Sequence, residues 1–182
     1  MGELPYEQKK QVLDDMITTL ELTDGGTDTI GEARSTDFET DDFPLAGGGA
    51  RLLTDVRAAA HDTFDRVVFE FDAEERPSFG IEYVEPPYHA TGSGQPIDLD
   101  SPVALRVTMA PASGVDLSGP QPVRTYTGPK RIPLDGKIVD VLVQRGDFEA
   151  NLSWLIGLDR RVPYSFAVLE NPLRLVVDVR SS

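Results

Sequence analysis

Cysteine is absent from this sequence, and histidine occurs only twice, as His61 and His89. The lack of cysteine excludes disulfide bonds, thiolate metal ligands and cysteine nucleophiles, but it does not fix the compartment, because exported proteins can also lack cysteine. Two histidines leave few candidates for a general base or an imidazole metal ligand. The composition therefore excludes several catalytic classes and identifies none.

Basic residues are also scarce. The 182 residues include 17 Lys and Arg against 31 Asp and Glu, which gives a formal net charge of −14. Nucleic-acid surfaces need clustered Lys and Arg, so we expect no nucleic-acid partner, and binding to anionic membranes is disfavoured for the same reason. The charge is uneven, because residues 1–50 carry twelve acids and three bases.

Long apolar runs are missing as well. No stretch approaches the ~20 apolar residues of a membrane span, which predicts a chain without a transmembrane segment. The first five residues have neither the basic start nor the apolar run of an export signal. We therefore expect a soluble chain, or the mature form of an exported one.

The first 22 residues predict an amphipathic N-terminal helix. Residues 4–22 have helical spacing, with an apolar stripe on one side and charged residues largely on the other. A helix this short is marginal alone, so we expect it to dock on the same chain or on a partner. The stripe consists of Val12, Leu13, Met16, Ile17 and Leu20.

Residues 23–50 are rich in Gly, Thr and Asp and show no sustained period, which predicts an acidic linker. The acids of this segment lack the regular spacing of a calcium loop, so a solvated tether is the favoured interpretation. The remaining residues, 51–182, form the predicted domain.

From Arg51 onward the apolar residues recur at every second position, which is the signal of half-buried strands. Eight strands without helical segments between them favour an antiparallel sandwich or a distorted barrel. Gly146-Asp147 has the composition of a tight hairpin turn. Residues 86–102 and 110–137 hold nine of the fourteen prolines and are predicted to be loops or edge segments. The predicted strands are 51–57, 64–72, 79–85, 103–109, 138–144, 148–157, 163–169 and 173–179.

Two of the predicted strands share one pattern: an arginine, three apolar residues, an acid and an apolar residue. If 65–71 and 173–179 are neighbours, their outward side chains form a ladder of alternating charge, namely Arg66, Glu70, Arg174 and Asp178. One interpretation is that cross-strand ion pairs stabilise a solvated face, at ~0.2–1 kcal/mol for each exposed pair. The other is a polar platform that binds sugars or peptide carboxylates, with Tyr83 or Trp154 available for stacking.

Catalytic motifs are weak. His61 lies close to Asp62 and Asp65, as a general base or metal site requires, so a hydrolase or metal-dependent enzyme centred on these residues is an alternative. The favoured interpretation is a turn in which Asp62 or Asp65 caps backbone amides. His89 lies in a predicted loop, where a solvated histidine is favoured. No hydrolase elbow, phosphate-binding loop or zinc-binding helix appears, and we predict no metal and no cofactor.

Four segments together resemble the AMIN-like domain of actinobacterial secreted proteins and lipoproteins, which is similar to the amidase N-terminal (AMIN) domain. The resemblance covers about Arg51 to Arg180. The segments are Phe64-Asp-Arg-Val-Val-Phe-Glu-Phe71, Gly146-Asp-Phe-Glu149, Trp154-Leu-Ile-Gly-Leu158 and Pro163 through Val179.

The resemblance implies a β-sandwich of two small sheets without catalytic activity. It also implies localisation at the cell envelope through binding of peptidoglycan or of neighbouring envelope proteins. We therefore predict a noncatalytic, extracellular or envelope-associated module that binds cell-wall glycan, cell-wall peptide or an envelope protein through a polar sheet face. A domain that only assembles other proteins is a further alternative.

Overall fold

The structure is a computed structural model that describes residues 30–40 and 49–181. The helix predicted over residues 4–22 lies outside the described residues, as do linker residues 23–29 and 41–48. Within the described ranges the regular structure consists of strands alone. The predicted all-β class is therefore confirmed.

Each of the eight predicted strands is present, with its ends displaced by no more than a few residues, and short strands occupy the proline-rich connections. The strands are β1 (Phe38–Glu39), β2 (Arg51–Ala60), β3 (Phe64–Asp72), β4 (Ser78–Val84), β5 (Tyr88–His89), β6 (Pro96–Ile97), β7 (Val103–Ala110), β8 (Ala112–Ser113), β9 (Val115–Asp116), β10 (Val123–Arg124), β11 (Arg131–Pro133), β12 (Val139–Phe148), β13 (Asn151–Leu158), β14 (Tyr164–Leu169) and β15 (Leu173–Arg180).

Two large sheets pack face to face, which confirms the sandwich. One sheet has six antiparallel strands in the order β1-β4-β7-β13-β12-β11. The other has five strands in the order β14-β15-β3-β2-β8, with antiparallel pairs except for β2 and β8. Two-stranded ribbons, β5-β6 and β9-β10, complete the described part of the domain.

The core lies between the two sheets because alternate side chains of each strand point inward. Phe69 and Phe71 of β3 face Trp154 and Leu152 of β13, and all four side chains are buried. The ring of Phe69 meets the ring of Trp154 edge to face, with centroids 6.0 Å apart. Each large apolar side chain buried in this way stabilises the fold by about 1.5–3 kcal/mol.

A second apolar cluster covers one end of the outer face of the six-stranded sheet. The connection between β4 and β7 folds over this face, and its Tyr88 and Leu99 pack on Val143 and Leu155 of the sheet. The Tyr88 hydroxyl donates a hydrogen bond to the carbonyl of Ser101. This connection therefore leaves only the opposite end of the outer face open.

The hairpin between β12 and β13 turns at Glu149-Ala150, both of which have positive φ angles of 51° and 55°. The prediction of a turn at Gly146-Asp147 was wrong, because both residues belong to β12 at a shift of register. A Cβ on Gly146 would lie 2.6 Å from the Cβ of Thr91. Gly146 is therefore required for the close approach of the Thr91 loop and not for a turn.

Residues 30–40, which the sequence predicts to be part of a solvated tether, lie along the sandwich instead. Arg34 forms a bridge with Tyr164 at the edge of one sheet, and Phe38 pairs with Ile81 at the edge of the other. The ring of Phe38 packs at 4.4 Å from that of Phe166. Burial of this aromatic side chain holds the segment across the gap between the two sheets.

Candidate functional site

The charged ladder predicted on β3 and β15 is present. The two strands are antiparallel neighbours, and their register places Arg174 opposite Glu70 and Asp178 opposite Arg66. The Arg66 guanidinium donates from Nε to Asp178 Oδ1 at 2.7 Å and from Nη2 to Oδ2 at 2.8 Å. The sequence predicted a ladder of alternating charge on the condition that the two strands are neighbours, and the structure shows that they are.

The ladder is buried, whereas the first interpretation of the sequence placed these ion pairs on a solvated face. Arg66 and Arg174 are each 6% exposed, Glu70 is 5% exposed and Asp178 is fully buried. A side-on arginine–carboxylate pair tolerates burial because two parallel hydrogen bonds replace the water that both groups lose. The guanidinium of Arg66 also lies 4.9 Å from the ring centre of Phe64.

Arg57 of β2 extends the ladder by one strand. Its Nη1 donates to Asp55 Oδ2 at 2.8 Å and to Glu70 Oε2 at 3.0 Å. Burial lowers the pKa of Arg57, but the hydrogen bonds to Asp55 and Glu70 outweigh this effect, and the pKa is raised. Ion pairs therefore join β2 to β3 through Arg57 and Glu70, and β3 to β15 through Arg66 and Asp178.

Tyr83 and Trp154 do not join the ladder. Trp154 is fully buried in the core, so its ring is out of reach of a ligand on either outer face. Tyr83 lies at the side of the sandwich, where its hydroxyl donates to the carbonyl of Val162 at 2.6 Å. The guanidinium of Arg161 covers the Tyr83 ring at 3.8 Å from its centre. The six predicted ligand-binding residues therefore occupy three separate places.

A polar depression lies on the open end of the outer face of the six-stranded sheet. Its volume is about 630 Å³, within the range of about 300–1,000 Å³ that is usual for ligand sites. We use the name polar depression for this region. Its charged lining consists of Asp37, Glu39, Glu82, Arg106 and Arg145.

The strands position the two arginines of the polar depression. Arg106 points outward from β7 because its neighbours Leu105 and Val107 point into the core. It donates two hydrogen bonds to Glu82 Oε1 of the adjacent strand, from Nε at 2.7 Å and from Nη2. Arg145 of β12 donates from Nη1 to Thr91 Oγ1 at 2.7 Å.

The basic side of the polar depression is suited to bind a carboxylate. Burial and the nearby positive charge of Arg106 lower the pKa of Arg145, and Glu82 opposes this only in part. Arginine remains protonated in proteins, so two guanidinium groups share one side of the polar depression, and the one carboxylate near both, Glu82, is bound to Arg106. A carboxylate ligand at Arg145 would relieve this repulsion.

On the opposite rim of the polar depression, one of the acidic side chains is held by a hydrogen bond within the protein. Asp37 Oδ1 accepts a hydrogen bond at 2.9 Å from the backbone amide of Tyr83, which holds the rim against β4. Glu39 belongs to the edge strand β1 and is exposed. The polar depression therefore has a basic side and an acidic side, which suits a ligand that carries carboxylates together with amide or amine donors.

The His61 site does not assemble as a catalytic or metal centre. Asp65 is fully buried, and its carboxylate accepts hydrogen bonds from the backbone amides of Lys137, Ile138 and Val139 at 3.0, 2.7 and 2.9 Å. The ring of His61 stacks on Phe64 at 4.5 Å. Among residues 30–40 and 49–181, no group of three His, Asp or Glu side chains is arranged to hold a metal ion.

The capping role predicted for Asp65 is therefore correct, although the amides that it caps belong to a distant segment. A Cβ on Gly136 would lie 2.6 Å from Asp65 Oδ2, so this glycine allows the backbone to close around the carboxylate. His89 lies in β5 and is exposed.

The AMIN-like domain model matches residues 51–181, which is most of the chain. The chain belongs to the AMIN-like domain family. AMIN-like domains are typically noncatalytic modules that target proteins to the cell envelope, and they occur in periplasmic or envelope proteins. A search of curated proteins and a search of solved structures returned no match to the chain. In the part that the structure describes, no helix is long and apolar enough to span a membrane.

The sequence analysis of this AMIN-like domain missed Arg106, Glu82 and Arg145. A signal existed for Arg106, because Ala104-Leu-Arg-Val-Thr-Met109 alternates and places Arg106 on the polar side of a predicted strand. The pairing with Glu82 depends on which strands are neighbours, and Arg145 lies where β12 changes register. Local sequence carries no information on either feature.

Proposed function

We propose that this AMIN-like domain is a noncatalytic targeting module that binds peptidoglycan through the polar depression. The observation that carries the proposal is the placement of Arg106 and Arg145 on one side of an open concavity where Glu82 is their shared acidic neighbour. The proposed location of the protein is the outer side of the cytoplasmic membrane or the cell envelope, in line with the family.

Peptidoglycan offers the chemistry that this site would recognise. Its stem peptides carry free carboxylates and amide or amine donors on a short, polar chain. A guanidinium binds a carboxylate through two parallel hydrogen bonds, and such charge-assisted bonds are roughly twice as strong as neutral ones. Glu39 and the hydroxyl of Thr108 also line the polar depression and are suited to bind amide or amine donors.

The polar depression supports recognition better than the charged ladder does. In the ladder, Arg66 binds Asp178 with both edges of its fork, and the four side chains are at most 6% exposed. A ligand would have to displace buried ion pairs there, at a cost of several kcal/mol. We therefore propose a structural role for Arg66, Glu70, Arg174 and Asp178.

Co-sedimentation with insoluble peptidoglycan tests this assignment. Arg145→Gln is expected to weaken binding by about tenfold or more, since a lost charge-assisted pair is worth about 1.5–3 kcal/mol. The matched control is Arg160→Gln, because Arg160 is exposed and, within the described ranges, its guanidinium bonds to its neighbour Asp159 and to the backbone carbonyl of Ser181. Thermal unfolding of each variant must show that the fold is retained.

Three outcomes separate the alternatives. Wild-type binding by Arg145→Gln and Arg106→Gln would reject the polar depression, and loss of binding in Arg57→Gln alone would move the site to the ladder. Amidation of the peptidoglycan carboxylates should abolish binding if carboxylates are recognised. Capture of an envelope protein without binding to peptidoglycan would instead favour an assembly domain.

An enzymatic role has a separate test. Incubation with peptidoglycan should release no soluble muropeptides, and His61→Ala should leave every measured property except stability unchanged. Release of fragments that depends on His61 would favour the hydrolase alternative. Fractionation of cells that express the native gene tests the proposed location.

A further inference from the structure

Two valines on the outer face of the five-stranded sheet are buried. Val68 of β3 and Val176 of β15 are directly opposite each other in the register and lie between the two charged rungs of the ladder. Both point away from the core, because their neighbours Val67, Phe69 and Val177 point into it. Val68 is nonetheless only 4% exposed and Val176 only 1% exposed.

These valines belong to neither apolar cluster that the described residues form. Long arginine stems can cover part of a sheet face, but the guanidinium of Arg66 lies over Phe64 and Arg174 Nε donates to the carbonyl of Pro172, both of which are farther from the valines. An apolar pair in the middle of a polar face is, however, the arrangement expected where a further amphipathic element packs on a sheet.

The chain enters the described structure at this face. The backbone amide of Ile30 donates to Asp178 Oδ2 at 2.7 Å, two residues from Val176 on the same side of β15. From there Gly31 passes the carbonyl of Phe166, and Arg34 bridges to Tyr164 at the sheet edge. Ile30, the first described residue, therefore lies at the outer face of the five-stranded sheet.

We infer that the amphipathic segment 4–22 docks on this outer face and covers Val68 and Val176 with its apolar stripe. Residues 23–29 connect it to Ile30 and extend to at most about 24 Å, whereas two residues along a strand span only about 7 Å. The stripe is therefore within reach of the valines. A segment of the same chain is favoured as the occupant because it is already attached at the edge of the surface.

Charge is compatible with the same occupant. Residues 1–29 carry seven acidic and two basic residues. Arg57, Arg66 and Arg174 all lie on the outer face that the segment would cover, on three neighbouring strands. Asp55 and Glu70 already pair with Arg57, and Asp178 pairs with Arg66, so the face is close to neutral and the apolar pair together with the entry point of the chain identifies the occupant. This inference is independent of the proposed function, and it assigns the ladder to an internal interface.

The absence of cysteine makes a direct test possible in the full chain. Val176→Cys introduces a single thiol, whose rate of labelling by a water-soluble thiol reagent reports whether the face is covered. Ile17→Asp places a charge in the apolar stripe. Its matched control is Thr18→Asp, which adds the same charge at the adjacent residue on the opposite side of the predicted helix.

We expect Ile17→Asp to accelerate labelling of Cys at position 176 by about tenfold or more, while Thr18→Asp leaves the rate near that of the parent. Near-ultraviolet circular dichroism of Trp154 should stay unchanged in both, because the core lies on the other side of the sheet. Equal labelling rates in the two variants would overturn the inference.

Two further measurements guard against artefacts. Val68→Cys repeats the test on the neighbouring strand in case Val176→Cys disturbs folding. Labelling over a hundredfold range of protein concentration should give one rate if the cover is intramolecular. Protection that is lost on dilution would show that a second copy supplies the cover and would overturn the intramolecular assignment.

Discussion

Arg66 and Asp178 form a side-on ion pair across β3 and β15, with Nε to Oδ1 at 2.7 Å and Nη2 to Oδ2 at 2.8 Å, although they lie 112 positions apart in the chain. Asp178 Oδ2 also accepts the backbone amide of Ile30 at 2.7 Å. One buried carboxylate thus connects three segments of the chain. Because the pair is buried, a folded domain that keeps only one of the two charged side chains is much less stable than one that keeps both.

Removal of one partner should therefore strongly lower the stability of the domain. Asp178→Ala is expected to lower the free energy of unfolding by about 3–5 kcal/mol, because it leaves the Arg66 guanidinium buried without its carboxylate. The double variant Arg66→Met/Asp178→Leu should cost much less than the sum of the single changes Arg66→Met and Asp178→Leu. Urea unfolding of the parent, these two single variants and the double variant measures the coupling, with Asp159→Ala of the exposed pair with Arg160 as the control. Additive effects would contradict a coupled pair.

Glycine at position 150 should stabilise the turn at Glu149-Ala150. Both residues have positive φ, and such turns favour Asn-Gly. Ala150→Gly is expected to raise the free energy of unfolding by about 0.5–1 kcal/mol, because glycine adopts this conformation without the steric penalty of a Cβ. Ala59→Gly in the exposed part of β2 is the matched control and should be destabilising. A loss of stability in Ala150→Gly would argue against this turn.

The single tryptophan should report a sealed core. Trp154 is fully buried between Phe69 and Tyr126. We expect blue-shifted emission, weak quenching by iodide and no change when peptidoglycan is added. Trp154→Ala should cost about 3–5 kcal/mol of stability. Trp154→Phe should cost less, because Nε1 has no hydrogen-bond partner among the residues that the structure describes. Quenching by a bound ligand would instead place the indole at a binding surface.

Alkaline pH should destabilise the domain through its buried tyrosines. Burial raises the pKa of Tyr126 from 10.0 to about 12, and its hydroxyl donates to the carbonyl of Pro129 at 2.7 Å. Below pH 10 the proton is bound in both the folded and the unfolded chain. Between pH 10 and 12 the unfolded chain loses this proton first, so the stability falls as the pH rises.

Urea unfolding at about pH 9 and about pH 11 measures this fall. Tyr126→Phe is expected to be less stable than the parent at pH 9, because it lacks the hydrogen bond, and to lose less stability on the change to pH 11. Burial also raises the pKa of Tyr164, so part of the fall should remain in this variant. An identical fall in both proteins would exclude Tyr126 as a contributor.

The sequence by itself determined the strands of the sandwich and the outward placement of the charged side chains on β3 and β15. Side-chain alternation is a local property that follows from the geometry of a half-buried strand, so the eight long strands were predicted nearly to their ends. The matching patterns at 65–71 and 173–179 likewise put the charged residues on the outward sides of the strands, whereas the register that sets Arg66 opposite Asp178 came from the structure.

Only the tertiary structure decided which of these residues are accessible. The alternating pattern around Trp154 shows that its side chain lies on one face of a strand, but it does not show which face is the core. Only the packing of the second sheet shows that Trp154 lies on the core side. The polar depression depends on β4 and β7 being neighbours, on the change of register near Arg145 and on the loop that carries Thr91. These are contacts between residues far apart in the chain, and local periodicity contains no record of them.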